Sequence, residues 1–281
     1  MKKRRVALIV LTLLAIFMCI PIVIIFSGSL MDNSELNRAL APILASGKGY
    51  VELSILPEYP TLRSVVKLLL DSPQFFVMYW NSVKITLFIL LGHLLIAVPA
   101  AWGFARFNFR FKKILFSIYI VVMLIPFQVT MLSSYLVLDK LHLINTQWSL
   151  ILPGIFSTFP VFIMYRFFCS IPKEIIEAAK IDGASEFQVF IKVGIPIGLP
   201  GIVSAMVLGF IEYWNLIEQP LTFIKDKSLW PMSLYLPNIN LENADVAFVA
   251  SLVTMATSII IFFAGQKYLK EGISVSAGKE N

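Results

Sequence analysis

Between Val6 and Phe26 the chain carries 21 consecutive residues without a charge, preceded by Lys2, Lys3, Arg4 and Arg5. As a helix such a run covers roughly 30 Å, the thickness of a bilayer's hydrocarbon core. It admits few folds, because in lipid every backbone amide must be paired within its own segment. The apolar part of a cleaved signal peptide is shorter, about 7–15 residues, and Ile16, Phe17 and Met18 before Cys19 lack the small side chains of a lipoprotein site. The run therefore reads as a first membrane span, 6–26, behind a cytoplasmic N-terminus, 1–5. Five more apolar segments follow, about 75–102, 114–137, 148–168, 197–216 and 246–266. The fold class is accordingly all-α, a polytopic membrane protein with six transmembrane helices. Residues 27–74 form an external loop with a short helix expected over 61–70, residues 75–268 a five-helix core, and residues 269–281 a tail.

Composition agrees with a bilayer. Apolar residues make up 58% of the 281, and the mean hydropathy is +0.82, whereas a soluble domain has about 45–50%. The net charge of +6 lies in short clusters beside apolar runs, as orientation signals do, and does not form a surface for nucleic acid. Of the 23 Lys and Arg, 15 fall in the N-terminus, the 106–113 turn, the 166–192 region and the tail, and the other 8 elsewhere. That bias places both termini, and the 172–196 loop, in the cytoplasm of a cell-membrane protein. Cys19 and Cys169 sit far apart in apolar segments and indicate neither a disulfide nor a metal site.

Polar groups inside the spans mark a candidate solute path, because such groups need partners in lipid. They are Asn81, His93, Gln128, Ser133, Ser134, Tyr213, Trp214, Asn215 and Glu218. An aromatic face beside amide and carboxylate groups suits a sugar, and Trp214-Asn215 fits that description. Trp214 is equally suited to anchor at the interface, and His93 and Gln128 to bridge helices. Pro126 next to Gln128 predicts a kink in the third span.

The most polar run between two apolar blocks is Pro172 to Pro200. Pro172 suits a first helical turn, Glu174 and Glu177 favour the positive end of the dipole, and Asp182-Gly183 stop a helix over 173–181. Ser185 with Gln188 three residues later has the form of a capping box that opens a second, amphipathic helix. Ala178, Ala179, Gly183 and Ala184 give this pair a surface of little bulk. The residues alone fit either a docking element or a helical hairpin lying on lipid headgroups.

The order Glu177-Ala178-Ala179, Gly183 and then Val193-Gly194-Ile195-Pro196 resembles the E-A-A loop of the membrane subunits of binding-protein-dependent ABC importers. With Asp182 before the glycine and Ala184-Ser185 after it, the stretch looks like the carbohydrate, maltose-type branch. The stretch 105–110 and the Trp214-Asn215 pair resemble that branch too. The closing I-x-L-P of the family's pattern stands here as V-x-I-P. The resemblance implies a type I ABC importer permease fold and a substrate path for a sugar or oligosaccharide. It also implies contact with an ATPase through Glu177, Ala178, Ala179, Asp182, Gly183 and Ala184. The partners it implies are a second permease subunit in a hetero-dimer, two ATP-binding-cassette ATPases, an extracytoplasmic sugar-binding protein and membrane lipid. No cofactor is expected in this chain, with ATP and Mg bound by the ATPase.

No phosphate-binding G-x-x-x-x-G-K-[ST], H-E-x-x-H or G-x-S-x-G occurs, so catalysis by the chain itself is not expected. Amino-acid, peptide and anion importers share a looser form of the loop, but an anion path would favour Lys or Arg within the spans and none sits centrally. A stand-alone secondary transporter would show inverted repeats and paired buried charges, which the sequence lacks.

Overall fold

The computed structural model describes residues 2–44, 50–51, 56–235 and 243–277. Lys48, Glu52, Lys279, part of the outer loop before Asp245 and the end of the tail lie outside them. The described residues are helical throughout, without a strand. The helices are α1 (Lys2–Gly28), α2 (Asn33–Leu44), α3 (Arg63–Asp71), α4 (Pro73–Gly92), α5 (Val98–Arg106), α6 (Lys112–Met123), α7 (Phe127–Lys140), α8 (Trp148–Ile155) and α9 (Thr158–Ser170). After them come α10 (Lys173–Ile181), α11 (Glu186–Val189), α12 (Ile195–Trp214), α13 (Glu218–Phe223) and α14 (Ala244–Ala277). Five are long and apolar enough to cross a membrane, six with the bent pair α6 and α7 as one span.

Two compact units divide the chain, Met1–Val77 with Leu234–Thr257, and Met78–Ser233 with Ser258–Asn281. In the first, α2 is an element that the mixed composition of 27–74 did not reveal, although Leu36 and Ala39 at helical spacing are buried. The Glu35 carboxylate accepts the Glu58 N–H at 3.0 Å, and Thr61 N–H donates to the Leu30 carbonyl at 2.8 Å. These two bonds fold the loop between α2 and α3 back on itself. The buried Asp245 carboxylate takes the Ser64 hydroxyl at 3.3 Å and the Lys67 ammonium at 3.5 Å. Removing Lys67 would leave that charge uncompensated, which costs more than the pair itself contributes.

In the second unit α9 packs along both α5 and α12. Small residues permit the approach: a Cβ on Gly198 would come within 2.3 Å of the Phe168 ring, and one on Gly194 within 2.6 Å of Trp102. Trp102, Met164, Phe168 and Ala205 form one core, and Ile85, Ile89, Leu150 and Phe223 a second.

Four spans depart from a regular α-helix. Pro126, extended at φ −67° and ψ 149°, separates α6 from α7 at an angle of 103°. The kink expected there is thus a sharp turn of the chain. Phe156 and Ser157 separate α8 from α9. Two π-turns, His93–Ala97 and Phe190–Gly194, each end two residues before a proline, Pro99 and Pro196. In each the following amide reaches back five residues, Val98 to His93 and Ile195 to Phe190. The extra residue in the turn relieves the clash between a proline ring and the carbonyl four residues before it. The second helix of the polar loop is therefore not separate from the fifth span. It runs without a break from Glu186 to Trp214, 29 residues, where the sequence implied a span starting near Ile197.

Candidate functional site

The polar loop is built by local rules. Helix α10 ends in a Schellman motif, with Gly183 N–H on the Lys180 carbonyl and Ala184 N–H on the Ala179 carbonyl, both at 3.0 Å. Gly183 sits at φ +83°, a backbone region that a Cβ disfavours by roughly 1–2 kcal/mol. The Ser185 hydroxyl accepts the Gln188 N–H at 3.3 Å, and Gln188 Oε1 accepts the Ser185 N–H at 2.9 Å, completing the capping box. The Lys180 ammonium, near the end of α10, pairs with Glu186 at the start of α11.

On α10, Lys173, Ile176, Glu177 and Lys180 border a cleft of about 410 Å³, closed on its other sides by Trp102, Arg106, Phe107, Lys112 and Glu186. Of the six residues assigned to coupling, Glu177 therefore stands in the wall of this cleft, Ala179 and Ala184 pack partly against the Trp102 core, and Ala178, Asp182 and Gly183 are exposed. Beyond the cleft, one turn after Glu177, Ile181 is 86% exposed, and across the glycine lies Phe187, 72% exposed. Nothing lies within 4 Å of where a Gly183 Cβ would stand. The tip of the loop is an uncovered apolar patch centred on the glycine.

Arg106 and Trp102 tie the loop to the spans. The Arg106 guanidinium donates to the carbonyls of Phe168 and Ile171, at 2.6 and 2.9 Å, and lies 5.3 Å from the Trp102 ring. It satisfies orphan carbonyls at the end of α9, where a cation also meets the negative pole of the helix. The Trp102 ring in turn contacts Phe168 edge-on at 5.3 Å and Phe190 of the π-turn at 5.6 Å. The sequence showed Arg106 as an orientation signal and as part of the 105–110 resemblance, and nothing singled out Trp102.

The residues proposed for a solute path disperse. Asn81 is buried and donates to the carbonyls of Ser228 and Trp230, holding an outer loop. The Gln128 amide donates to both Glu218 oxygens at 2.7 and 2.8 Å, joining α7 to α13. Trp214 is fully buried, stacked on Phe210 and met edge-on by Tyr79. The Asn215 amide donates to the Ile211 carbonyl one turn back. His93 bonds to the Gly154 carbonyl at 2.9 Å, a helix bridge, and that carbonyl also accepts the Tyr213 hydroxyl at 3.3 Å.

Of the residues expected along the path, Tyr213 lines a cavity, a space of about 340 Å³ between the α6–α7 bend, the α8–α9 break, the end of α12 and α13. Ser134 lines it as well, together with Thr130, Ser157, Thr158, Phe156, Glu212 and Gln219. These residues come from four separate stretches, which is why no local pattern announced them.

Residues 93–275, well over half of the chain, match the family described as binding-protein-dependent transport system inner membrane component. The chain belongs to that family. It is a multi-pass inner-membrane permease subunit of a transporter. Among relatives in the binding-protein-dependent family, the arabinooligosaccharides transport system permease protein AraQ of Bacillus subtilis is 26% identical over 95% of this chain and 92% of its own length. The lactose transport system permease protein LacG of Rhizobium radiobacter is 27% identical over 70% and 73%. A probable ABC transporter permease protein of Bacillus subtilis, YurM, is 30% identical over 74% of each chain. The fold is similar to that of a chain in the crystal structure of a bacterial ABC transporter involved in the import of the acidic polysaccharide alginate. The TM-score is 0.78 and the identity 24%, over 95% of this chain and 97% of that one.

Proposed function

We propose that this chain is one of two permease subunits of an ATP-driven importer that receives a sugar or oligosaccharide from a binding protein outside the cell. Two ATPase subunits inside the cell bind ATP and Mg and carry out the hydrolysis, and this chain is not catalytic. Both termini and the 172–196 loop face the cytoplasm, as the distribution of Lys and Arg implies. The observation that carries the reading is the loop tip. Ile181 and Phe187 flank Gly183 and are left exposed by the described residues, as a helix that inserts into the cleft of a partner requires. The sugar cargo is supported by relatives named for arabinooligosaccharide and lactose transport.

In this reading ATP-driven closure of the two ATPases draws the paired loops together and turns the spans from inward-facing to outward-facing. Uptake and ATP hydrolysis by cells carrying the complete transporter test it, with Gly183→Asn beside Gly183→Trp. Asn tolerates positive φ and controls for backbone strain. The Trp variant, correctly inserted, is expected to abolish uptake by keeping the tip out of the ATPase cleft. Undiminished uptake by Gly183→Trp would remove the docking assignment.

A further inference from the structure

The cavity at the end of α12 opposite the loop has a chemistry of its own. It forms where helices are interrupted, at the Pro126 bend and the Phe156–Ser157 break, as solute sites within a membrane do. Its volume, about 340 Å³, falls within the range of small-molecule sites. Hydroxyls of Ser157 and Thr158 and the amide of Gln219 line it, and the ring of Phe156 is 60% exposed. Glu212 is the one charged residue in its wall among the described residues, with no Lys or Arg beside it.

Among the described residues the Glu212 carboxylate accepts no hydrogen bond and joins no ion pair, whereas Glu218, six residues on, is engaged by Gln128. A carboxylate without an internal partner is an acceptor for the hydroxyls or ammonium of a solute. It repels a second carboxylate, and the more strongly in a site of low dielectric.

Resting on the reading of this chain as a sugar permease, we infer that this cavity is its solute-binding wall and that Glu212 makes it select neutral or amino sugars against acidic ones. Phe156 covers the apolar face of the sugar ring, while Ser157, Thr158 and Gln219 serve its remaining hydroxyls. The determinant of cargo charge then lies at Glu212 and not at the buried Trp214 or the engaged Glu218.

Cells carrying the complete transporter are offered lactose, arabinotriose, glucosamine and digalacturonate, with the natural chain, Glu212→Gln and Glu212→Lys at matched membrane levels. In parallel, modification of Glu212 by a hydrophobic carbodiimide is followed by mass spectrometry in the presence of each sugar. Import of at least one uncharged or amino sugar is expected. Its maximal rate falls about tenfold in Glu212→Gln, as loss of one hydrogen bond to a charged group implies. The imported sugar is expected to slow the carbodiimide reaction, and digalacturonate to leave it unchanged. Unaltered import by both variants, or equal protection by digalacturonate, overturns the cavity assignment and leaves the permease reading standing. Failure to import any of the four, in a complex that hydrolyses ATP, overturns the sugar reading itself.

Discussion

Trp102 is held on several sides, by Phe168, by Phe190, by the Arg106 guanidinium and by the bare backbone of Gly194. A ring so enclosed cannot yield to a new side chain. Gly194→Leu is therefore expected to destabilise the protein by about 1–3 kcal/mol, the usual cost of overpacking a filled core. Thermal unfolding in detergent would show the loss, and Trp102→Ala in the same chain should restore part of it by vacating the space. At this scale the sequence was legible where chemistry is local and misleading where it is not. Gly183 announced its own turn, since Asp182-Gly183 after a helical run leaves few other conformations. Trp214-Asn215 looked like a sugar contact because the stacking partner Phe210 and the edge partner Tyr79 become neighbours only in the folded chain.

The helices that were easiest to read are those whose ends are written in side chains. Ser185 and Gln188 predicted a capping box, and both of its bonds form. Ser185→Ala is expected to cost about 1 kcal/mol, the typical value of an N-cap. Its effect should appear as faster amide exchange over 186–190, with the remainder of α12 unaffected. Harder to read was the continuity of α11 with α12. Gly194 and Pro196 looked like a boundary, yet the π-turn accommodates the proline and the helix passes through. Helix α2 was hidden for another reason: Pro42 and five polar residues in its first six gave it the composition of a loop, and only tertiary burial of Leu36 and Ala39 makes it a helix.

For the molecule as a whole, the fold class was the most legible property, because the cost of an unpaired backbone in lipid leaves so few alternatives. The cavity was the least legible, since four separate stretches supply its wall and none has a pattern of its own. Helix α1 poses a different problem, since its most apolar window has no residue buried against the rest of the chain. A helix apolar on all sides needs lipid or another subunit around it. Orientation can be measured directly. With Cys19 and Cys169 replaced by Ser, Ala184→Cys is expected to react with a membrane-impermeant maleimide in inside-out vesicles and to be protected in intact cells. Labelling from outside intact cells would reverse the proposed topology.

From Glu186 to Trp214 the backbone is one rod of about 43 Å, at 1.5 Å per residue. Ser185 caps one end, and Glu212 lies near the other, so the cap and the cavity share a rigid body. If that rod tilts by about 10° around the cap, Glu212 sweeps sideways by about 7 Å, more than a full helical pitch. A small swing at the capped end is thus magnified into a large displacement of the cavity wall at the other.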